Sequence, residues 1–269
     1  MRSTPMVALV IGATGSIGRL VVEEATKAGH RVRALVRDPR KSRDLPQGTA
    51  VVVGDVTKPE SLLTAVDGVD AIVFTLGSDG AGKAGAEAVD YGGVRNVLQA
   101  LGSRPAHIVL MTSIGVTNRT GTYNRATEAH DWKRRSERLV RASGHPYTIV
   151  RPGWFDYNAP DQHQLVFLQG DRRQTGNSSD GVIARRQLAN LLVSSLGSKP
   201  AEGKTLELVA ITGPAQEDLD PLFRALESDS PGSLDGVKDT ANMPLELEPE
   251  RVRSDLESIR SHRPSARSQ

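Results

Sequence analysis

The sequence of 269 residues has no cysteine, few aromatic residues and almost no charge imbalance. Without cysteine there is no disulfide framework, thiolate metal site or thiol nucleophile, and we expect a reducing, cytoplasmic setting. Aromatic residues make up 4% of the chain and the formal net charge is +2, which does not favour a nucleic acid partner. No apolar run approaches the roughly 20 residues of a membrane helix, so no membrane partner is expected. The scattered histidines predict no metal site.

Apolar runs of strand length alternate with amphipathic stretches of helical length in the first part of the chain. This alternation is typical of a parallel sheet that helices cover on both faces. Strands are predicted at 6–11, 31–36, 50–53, 70–75, 107–112 and 147–150, and helices at 17–28, 57–66, 84–101 and 126–142. The sequence thus predicts an α/β fold, a Rossmann-type doubly wound parallel sheet that binds ligands at the carboxyl ends of its strands.

The pattern weakens after residue 156, which suggests how the chain is divided. Residues 1–155 are predicted to form the Rossmann domain, and residues 156–227 a small C-terminal substrate lobe that partly returns to the sheet. In this lobe we predict helices at 186–196 and 214–226 and a strand at 205–209. Residues 228–269 are predicted to be a polar, partly disordered tail with a short charged helix near 249–260.

Three glycines separate the first predicted strand from the first predicted helix, in the segment GATGSIG. Gly12 permits a tight turn, Gly15 lets a pyrophosphate approach the backbone, and Gly18 lets the helix pack closely on the strand. The free N–H groups at the start of the helix favour an anion. An ordinary strand-to-helix turn rarely needs three glycines at this spacing, so the pattern indicates dinucleotide binding.

The end of the second predicted strand distinguishes between the two dinucleotides. In NAD enzymes an acidic residue there commonly binds the ribose 2′-hydroxyl. Here Arg37 stands at or beside that position, with Arg40, Lys41 and Arg43 close behind, and a guanidinium suits a 2′-phosphate. Asp38 could take the 2′-hydroxyl instead, and the basic loop could simply be solvated. We expect NADP(H) in preference to NAD(H).

The loop after the third predicted strand reads Gly54-Asp55-Val56. Asp55 could accept a hydrogen bond from the adenine amino group while the Val56 amide meets the ring. The alternative is that Asp55 is a surface turn residue.

Four segments, GATGSIG, ALVRDPRK, GDV and YTIVRPGWF, resemble one known family. Over about residues 6–210 the chain resembles the atypical short-chain dehydrogenase/reductases, and among them the NmrA-like and NAD(P)H-binding members. The resemblance implies a Rossmann fold, a nicotinamide dinucleotide and a small-molecule substrate. It implies cofactor contacts from Gly12, Thr14, Gly15, Ser16, Ile17, Arg37, Asp55, Val56, Leu76 and Gly77, and it places Pro152, Gly153 and Trp154 near the nicotinamide. We add Gly18, Thr112 and Lys133 to this candidate cofactor site.

Carbonyl-reducing members of the family carry a serine and a Tyr-x-x-x-Lys pair on one helix face. There the lysine binds the nicotinamide ribose and lowers the pKa of the tyrosine, which donates the proton. In this chain Ser113, next to Thr112, fits the serine, and Lys133 fits the lysine. The tyrosine position holds Ala129, so the usual acid is missing.

Three other side chains stand near the vacant position in sequence. Tyr123 precedes the helix and is our candidate acid, so the catalytic set is Ser113, Lys133 and Tyr123. His130 is rotated by roughly 100° around the helix, and Tyr157 follows the sixth strand. Lys133 could instead pair with a glutamate four residues on, at a solvated helix face.

Three functions remain open from the sequence. The first is an NADPH-dependent oxidoreductase acting on a small organic substrate. The second is a non-catalytic NADP(H)-binding sensor or regulator that binds a partner protein, which the absent tyrosine favours. The third is non-redox chemistry around a bound cofactor. The sequence reveals neither the substrate nor the oligomeric state.

Overall fold

The computed structural model describes residues 4–78 and 80–264. The strands are β1 (Val7–Ile11), β2 (Arg31–Val36), β3 (Ala50–Val53), β4 (Ala71–Phe74), β5 (His107–Met111), β6 (Tyr147–Pro152), β7 (Trp154–Phe155), β8 (Gln164–Leu168), β9 (Val182–Ile183) and β10 (Lys204–Ile211). The helices are α1 (Gly18–Lys27), α2 (Leu63–Val66), α3 (Gly82–Gly85), α4 (Gly92–Leu101), α5 (Thr122–Thr127), α6 (Ala129–Ala142), α7 (Arg185–Leu196), α8 (Asp220–Ala225) and α9 (Glu250–Ser261). No helix in these ranges is long and apolar enough to cross a membrane.

The strands form one sheet in the order β3-β2-β1-β4-β5-β6-β10-β9-β7, and β8 pairs with β10 from the side. Every neighbouring pair along the path β3-β2-β1-β4-β5-β6-β10 is parallel. The order reverses at β1, which pairs with both β2 and β4. This is the switch point at which doubly wound sheets bind ligands. The predicted α/β, Rossmann-type fold is therefore confirmed.

Each face of the sheet is buried under helices, which explains the continuous apolar strands. Alternate residues of β1 enter different cores: Ala8 and Val10 lie on the α1 and α7 side, and Leu9 and Ile11 on the α4, α6 and α9 side. All four side chains are fully buried. A strand buried on both faces has no position for a polar residue, so the apolar run predicted it well.

Several predicted helices are interrupted in the structure. The helix predicted at 84–101 consists of α3, a π-helical segment Ala86–Tyr91 and α4. The helix predicted at 126–142 breaks at Glu128, whose φ of 55° is left-handed. The helix predicted at 57–66 begins as a 3₁₀ turn, Pro59–Ser61, before α2. The helix predicted at 214–226 is reduced to α8.

Helix α6 is buried, and its four arginines obtain their counter-charges from far along the chain. Arg134 and Arg138 both contact Asp235, at 3.1 and 2.8 Å. Arg135 contacts Glu248 at 2.6 Å, and Arg141 contacts Asp229 at 3.0 Å. The described part of the predicted polar tail, 228–264, thus packs against α6. Residues 265–269, where we expected disorder, lie outside the described residues, and the three-part division of the chain stays a prediction.

Glu137 lies at the centre of a buried charged cluster between α6 and β6. Its carboxylate accepts hydrogen bonds from the Arg151 guanidinium at 3.0 and 2.7 Å and from the Thr112 hydroxyl at 2.7 Å. Arg141 approaches it to 3.3 Å. Burial alone would raise the pKa of Glu137, but these cations and the hydroxyl bring its pKa down to about 2.

Candidate cofactor and catalytic site

The glycine turn between β1 and α1 has a separate physical reason for each glycine. Gly12 has a φ of 85°, and a Cβ there would lie 2.8 Å from the Thr75 carbonyl oxygen. A Cβ on Gly18 would lie 2.0 Å from the Gly12 carbonyl oxygen. A Cβ on Gly15 would meet only that same oxygen, at 3.2 Å, and Gly15 is exposed. The fold therefore requires Gly12 and Gly18, whereas a side chain at the exposed Gly15 would make one tight contact, with the Gly12 carbonyl oxygen.

The first turn of α1 is free to receive an anion. Its N-cap is Ile17, whose apolar side chain makes no capping hydrogen bond, and the first turn holds no acidic residue. Thr14 and Ser16 flank Gly15 in the same turn. A helix start without a side-chain cap keeps unsatisfied N–H groups and a partial positive charge. The turn thus fits a pyrophosphate.

At the end of β2, the two residues that could read the ribose are in different situations. The Asp38 carboxylate accepts hydrogen bonds from the Arg40 guanidinium, at 2.9 and 3.0 Å, and from the Arg40 amide, at 3.0 Å. These bonds lower the pKa of Asp38. Arg37 is exposed and forms no ion pair with any residue in the described ranges. A guanidinium is free here, and the neighbouring carboxylate is engaged.

Asp55 and Val56 lie after β3, at the same edge of the sheet. Burial alone would raise the pKa of Asp55, but hydrogen bonds from the Thr57 amide and hydroxyl, at 2.9 and 2.8 Å, lower it. Val56 is buried, and its carbonyl accepts a hydrogen bond from the Asn96 amide at 2.8 Å. This loop is fixed by its own contacts, with the Asp55 carboxylate turned to Thr57.

Leu76 and Gly77 follow β4 and border the glycine turn through Thr75. Leu76 packs closely on α4, since a Cβ on Gly93 would lie 3.0 Å from the Leu76 side chain. Gly77 is exposed. The loop after β4 therefore runs along the carboxyl edge between the switch point and α4.

Thr112 and Ser113 follow β5 and have different environments. Thr112 is buried, and its hydroxyl donates to Glu137 in the charged cluster. The Ser113 hydroxyl oxygen is buried and has no hydrogen-bond partner among the described residues. Ser113 is therefore the one of the two whose hydroxyl remains available to a ligand.

Lys133 is held by a carboxylate that the sequence analysis did not single out. Its ammonium donates to Asp90 Oδ1 at 2.8 Å, and the Ser78 hydroxyl donates to Asp90 Oδ2 at 2.8 Å. Asp90 is buried and belongs to the π-helical segment. The Lys133–Asp90 bond joins α6 to the π-helical segment, and the Ser78 hydrogen bond ties Asp90 to the loop after β4. The alternative partner four residues on, Glu137, faces Arg151 and Arg141 instead, so the solvated-face alternative for Lys133 is wrong.

The family's tyrosine position is filled by buried Ala129, and an aromatic pair lies beside it. The rings of Tyr123 and His130 are 5.0 Å apart, and Tyr123 is 57% exposed. Burial lowers the pKa of His130, and its Nδ1 has no partner among the described residues. Tyr157 lies farther away on the lobe, exposed and edge-on to Trp154 with ring centroids 6.3 Å apart.

Pro152, Gly153 and Trp154 close the same edge after β6. The Pro152 carbonyl accepts from the Ile114 amide at 3.0 Å, and the Trp154 amide donates to the Gly181 carbonyl at 2.9 Å. A Cβ on Gly153 would lie 2.5 Å from that carbonyl oxygen. An open cavity of about 470 Å³ lies next to this loop.

Three further side chains, each bulky or charged, are committed to packing or to ion pairs. Trp132 is buried against Tyr91, with ring centroids 5.4 Å apart. Arg185 pairs with Asp156, and Arg186 pairs with two glutamates of α1. Within residues 4–78 and 80–264 no group of three or more acidic or histidine side chains is placed to hold a metal.

The cofactor candidates follow six successive parallel strands at one sheet edge, around a turn that fits a pyrophosphate. This arrangement defines a nicotinamide-dinucleotide-binding Rossmann protein. A family model described as NAD(P)H-binding matches residues 12–199. The chain belongs to this NAD(P)H-binding family, and its relatives fall in the atypical short-chain dehydrogenase/reductase group.

Named relatives are similar at low identity. The chloroplastic protein TIC 62 of Oryza sativa is 30% identical over 233 residues, which cover 76% of this chain and 46% of that protein. The chain thus spans less than half of that relative. Sanguinarine reductase of Eschscholzia californica is 25% identical over 264 residues, covering 82% of this chain and 96% of that protein. The NADPH-dependent quinone oxidoreductase of Escherichia coli, solved with NADPH, shares the fold with a TM-score of 0.57 and 22% identity, over 77% of this chain and 71% of that chain.

Proposed function

We propose that the protein is an NADPH-dependent oxidoreductase that acts on a small organic substrate. The observation that carries the proposal is the exposed glycine turn at Gly15 before the uncapped start of α1, at the switch point of the sheet. Reductases among the relatives, sanguinarine reductase in particular, support a redox function. The cytoplasmic location and the NmrA-like subgroup expected from the sequence stay predictions, and the rice relative is chloroplastic.

The preference for NADPH follows from the end of β2. Arg37 offers an unengaged guanidinium, whereas the Asp38 carboxylate is occupied by Arg40. A 2′-phosphate would gain charge-assisted hydrogen bonds from Arg37. A 2′-hydroxyl would have to compete with Arg40 for Asp38. The quinone oxidoreductase with a similar fold binds NADPH, which agrees with this preference.

The chain's own residues divide the remaining tasks. The bound cofactor would supply the hydride. Lys133, oriented by Asp90, would hold the nicotinamide ribose, and the unpartnered Ser113 hydroxyl would bind the substrate oxygen. Ala129 cannot donate a proton, so we assign this step to Tyr123, with His130 and Tyr157 as the alternatives.

Calorimetric titration of the purified protein with NADPH and NADH tests the proposal. We expect NADPH to bind the more tightly. The Arg37→Ala variant should lose about 10- to 100-fold in NADPH affinity, the range expected for a charge-assisted hydrogen bond, and little in NADH affinity. Arg31→Ala, which removes an exposed arginine at the opposite end of β2, is the matched control. Equal losses for both nucleotides would refute the role of Arg37, and no binding of either would refute the proposal.

A sensor or regulator that binds a partner protein is the second candidate, and the buried Ala129 at the tyrosine position favours it. The two candidates differ in turnover. A sensor should bind NADPH but oxidise it no faster than buffer with any member of a panel of quinones and aldehydes. Substrate-dependent oxidation that Lys133→Ala abolishes would exclude the sensor.

A further inference from the structure

The cavity next to the loop after β6 contains a single formal charge. It lies where β10 and β9 continue the sheet beyond the end of β6. Its walls are polar side chains of the lobe, the ends of these strands, Tyr157 and Arg173. None of the described residues that line it is acidic. A site with one cation and no carboxylate is electrostatically suited to an anion.

Arg173 is exposed, and no carboxylate of the described residues neutralises it. Its Nη1 donates to the Asp180 carbonyl at 3.4 Å and lies 3.5 Å from the position that a Cβ on Gly181 would take. Within the described ranges Arg173 forms no ion pair with a carboxylate. A guanidinium has five N–H donors, so most of them remain free to bind a ligand.

The loop that carries this arginine's partner is built firmly. The buried Asp180 carboxylate accepts from the Thr175 amide and hydroxyl, at 2.7 and 2.8 Å, and from the Gly176 amide at 2.8 Å. Asp180 is therefore satisfied by its own loop, and only its carbonyl faces Arg173. The nearby Asp156 is likewise taken, by Arg185. Neither Asp180 nor Asp156 therefore competes with an anionic ligand for Arg173.

The cavity also adjoins the position expected for the nicotinamide. Gly181 lines the cavity, and its carbonyl accepts a hydrogen bond from the Trp154 amide. Trp154 is 38% exposed and Tyr157 67% exposed, with their rings edge-on to each other. Exposed aromatic surfaces beside a cation favour a flat ligand that carries a negative charge.

We propose that this cavity binds the anionic group of a small planar substrate, a carboxylate or sulfonate, and that Arg173 recognises it. The proposal rests on the proposed function, since it sets the anion beside Gly153 and Trp154, where the nicotinamide is expected. Arg173 is a specificity residue and takes no part in hydride or proton transfer. Gly181 is small because a side chain there would meet Val209 at 2.2 Å.

Fluorescence of the two tryptophans gives a direct test, because Trp154 is exposed and packs edge-on to Tyr157, which lines the cavity, whereas Trp132 is buried. The matched probes are 4-nitrobenzoate and the neutral 4-nitrobenzamide, both of which quench tryptophan. Quenching is titrated with and without saturating NADP⁺. The variants are Arg173→Gln, Arg173→Lys and the control Arg172→Gln, which removes an exposed arginine beside the cavity residue. Trp154→Phe identifies the quenched ring.

We expect 4-nitrobenzoate to bind at least about tenfold more tightly than 4-nitrobenzamide, with Trp154 as the quenched residue. Arg173→Gln should reduce this preference to below about twofold, Arg173→Lys should keep part of it, and Arg172→Gln should leave it unchanged. A preference that survives Arg173→Gln, or that Arg172→Gln removes equally, would overturn the proposal, as would the absence of any preference.

The cofactor titrations separate this result from the proposed function. If the wild type binds NADPH but shows no preference for the acid, only the anion site fails. If the wild type prefers 4-nitrobenzoate through Arg173 but binds neither nucleotide, the oxidoreductase function fails. The cavity is then an anion site without redox chemistry, and the assignment of its ligand as a substrate is overturned.

Discussion

Replacing Glu137 by glutamine should destabilise the protein severely, although the two side chains have nearly the same shape. Glu137 is fully buried and accepts from both Arg151 and Thr112, with Arg141 at 3.3 Å. Glu137→Gln leaves two buried guanidiniums without their shared carboxylate. Removing one partner of a buried ion pair costs about 3–5 kcal/mol. Because Arg151 keeps Asp239 and Arg141 keeps Asp229, the lower end of that range applies here. We expect a loss of that size in the free energy of unfolding at pH 7.

The pH dependence of the same variant provides a second test. The folded pKa of Glu137, about 2, lies below its ordinary value of 4.5. A difference of roughly 2.5 pH units corresponds to about 3 kcal/mol of stability. This contribution is complete above pH 4.5 and is lost as the pH falls toward 2. The difference in the free energy of unfolding between the wild type and Glu137→Gln should therefore narrow as the pH falls from 4.5 toward 2.

Urea unfolding followed by circular dichroism at pH 7, 4.5 and 3 measures both effects. Glu60→Gln, at an exposed position of the 3₁₀ turn before α2, is the control and should change stability by less than about 0.5 kcal/mol. A loss below about 1 kcal/mol for Glu137→Gln at pH 7, or a gap that does not change with pH, would refute the reasoning.

Three further predictions concern the site and its surroundings. Gly15→Val should weaken NADPH binding by about 100-fold or more while circular dichroism shows the fold intact. Retained binding would refute the assignment of the glycine turn as the pyrophosphate site. Lys133→Ala should weaken NADPH and NADH binding alike, by about tenfold in calorimetry, whereas the exposed Lys58→Ala should not. Burial raises the pKa of Glu207 to about 7 from 4.5. The stability of the wild type relative to Glu207→Gln should therefore fall by about 3 kcal/mol from pH 4.5 to 8, as measured by urea unfolding of both proteins.

The sheet and its edge could be predicted from the sequence because both depend on local patterns. Strands such as Val7–Ile11 are continuous apolar runs, and the glycine turn is a contiguous motif. Interruptions depend on tertiary contacts instead. The π-helical segment places Asp90 toward Lys133, and the left-handed Glu128 separates α5 from α6. No composition or periodicity along the chain marks either feature.

The candidate site shows the same limit. Its positions follow from where each strand ends, so the loops that carry Arg37, Ser113 and Gly153 were expected at one edge. The hydrogen-bond partners of its side chains were not expected, because they lie far away in the sequence. Lys133 and Asp90, for example, are 43 residues apart. Arg173 was missed because it lies in a polar segment with no motif. An acid at position 90, within a run of small and apolar residues, was the one available signal for a buried partner.

The charge pairing of α6 has a consequence for how the protein is made. Its arginines at 134, 135, 138 and 141 meet acids that are 101, 113, 97 and 88 residues farther along. A ribosome that has delivered 227 residues has supplied every parallel strand, but none of these acids. The nascent chain would have to bury Arg134, Arg135 and Arg138 without these acids, or leave α6 off the sheet. The packing of α6 onto the sheet can therefore be completed only in the last part of synthesis. Contacts between residues so far apart in the sequence make this a slow folding step.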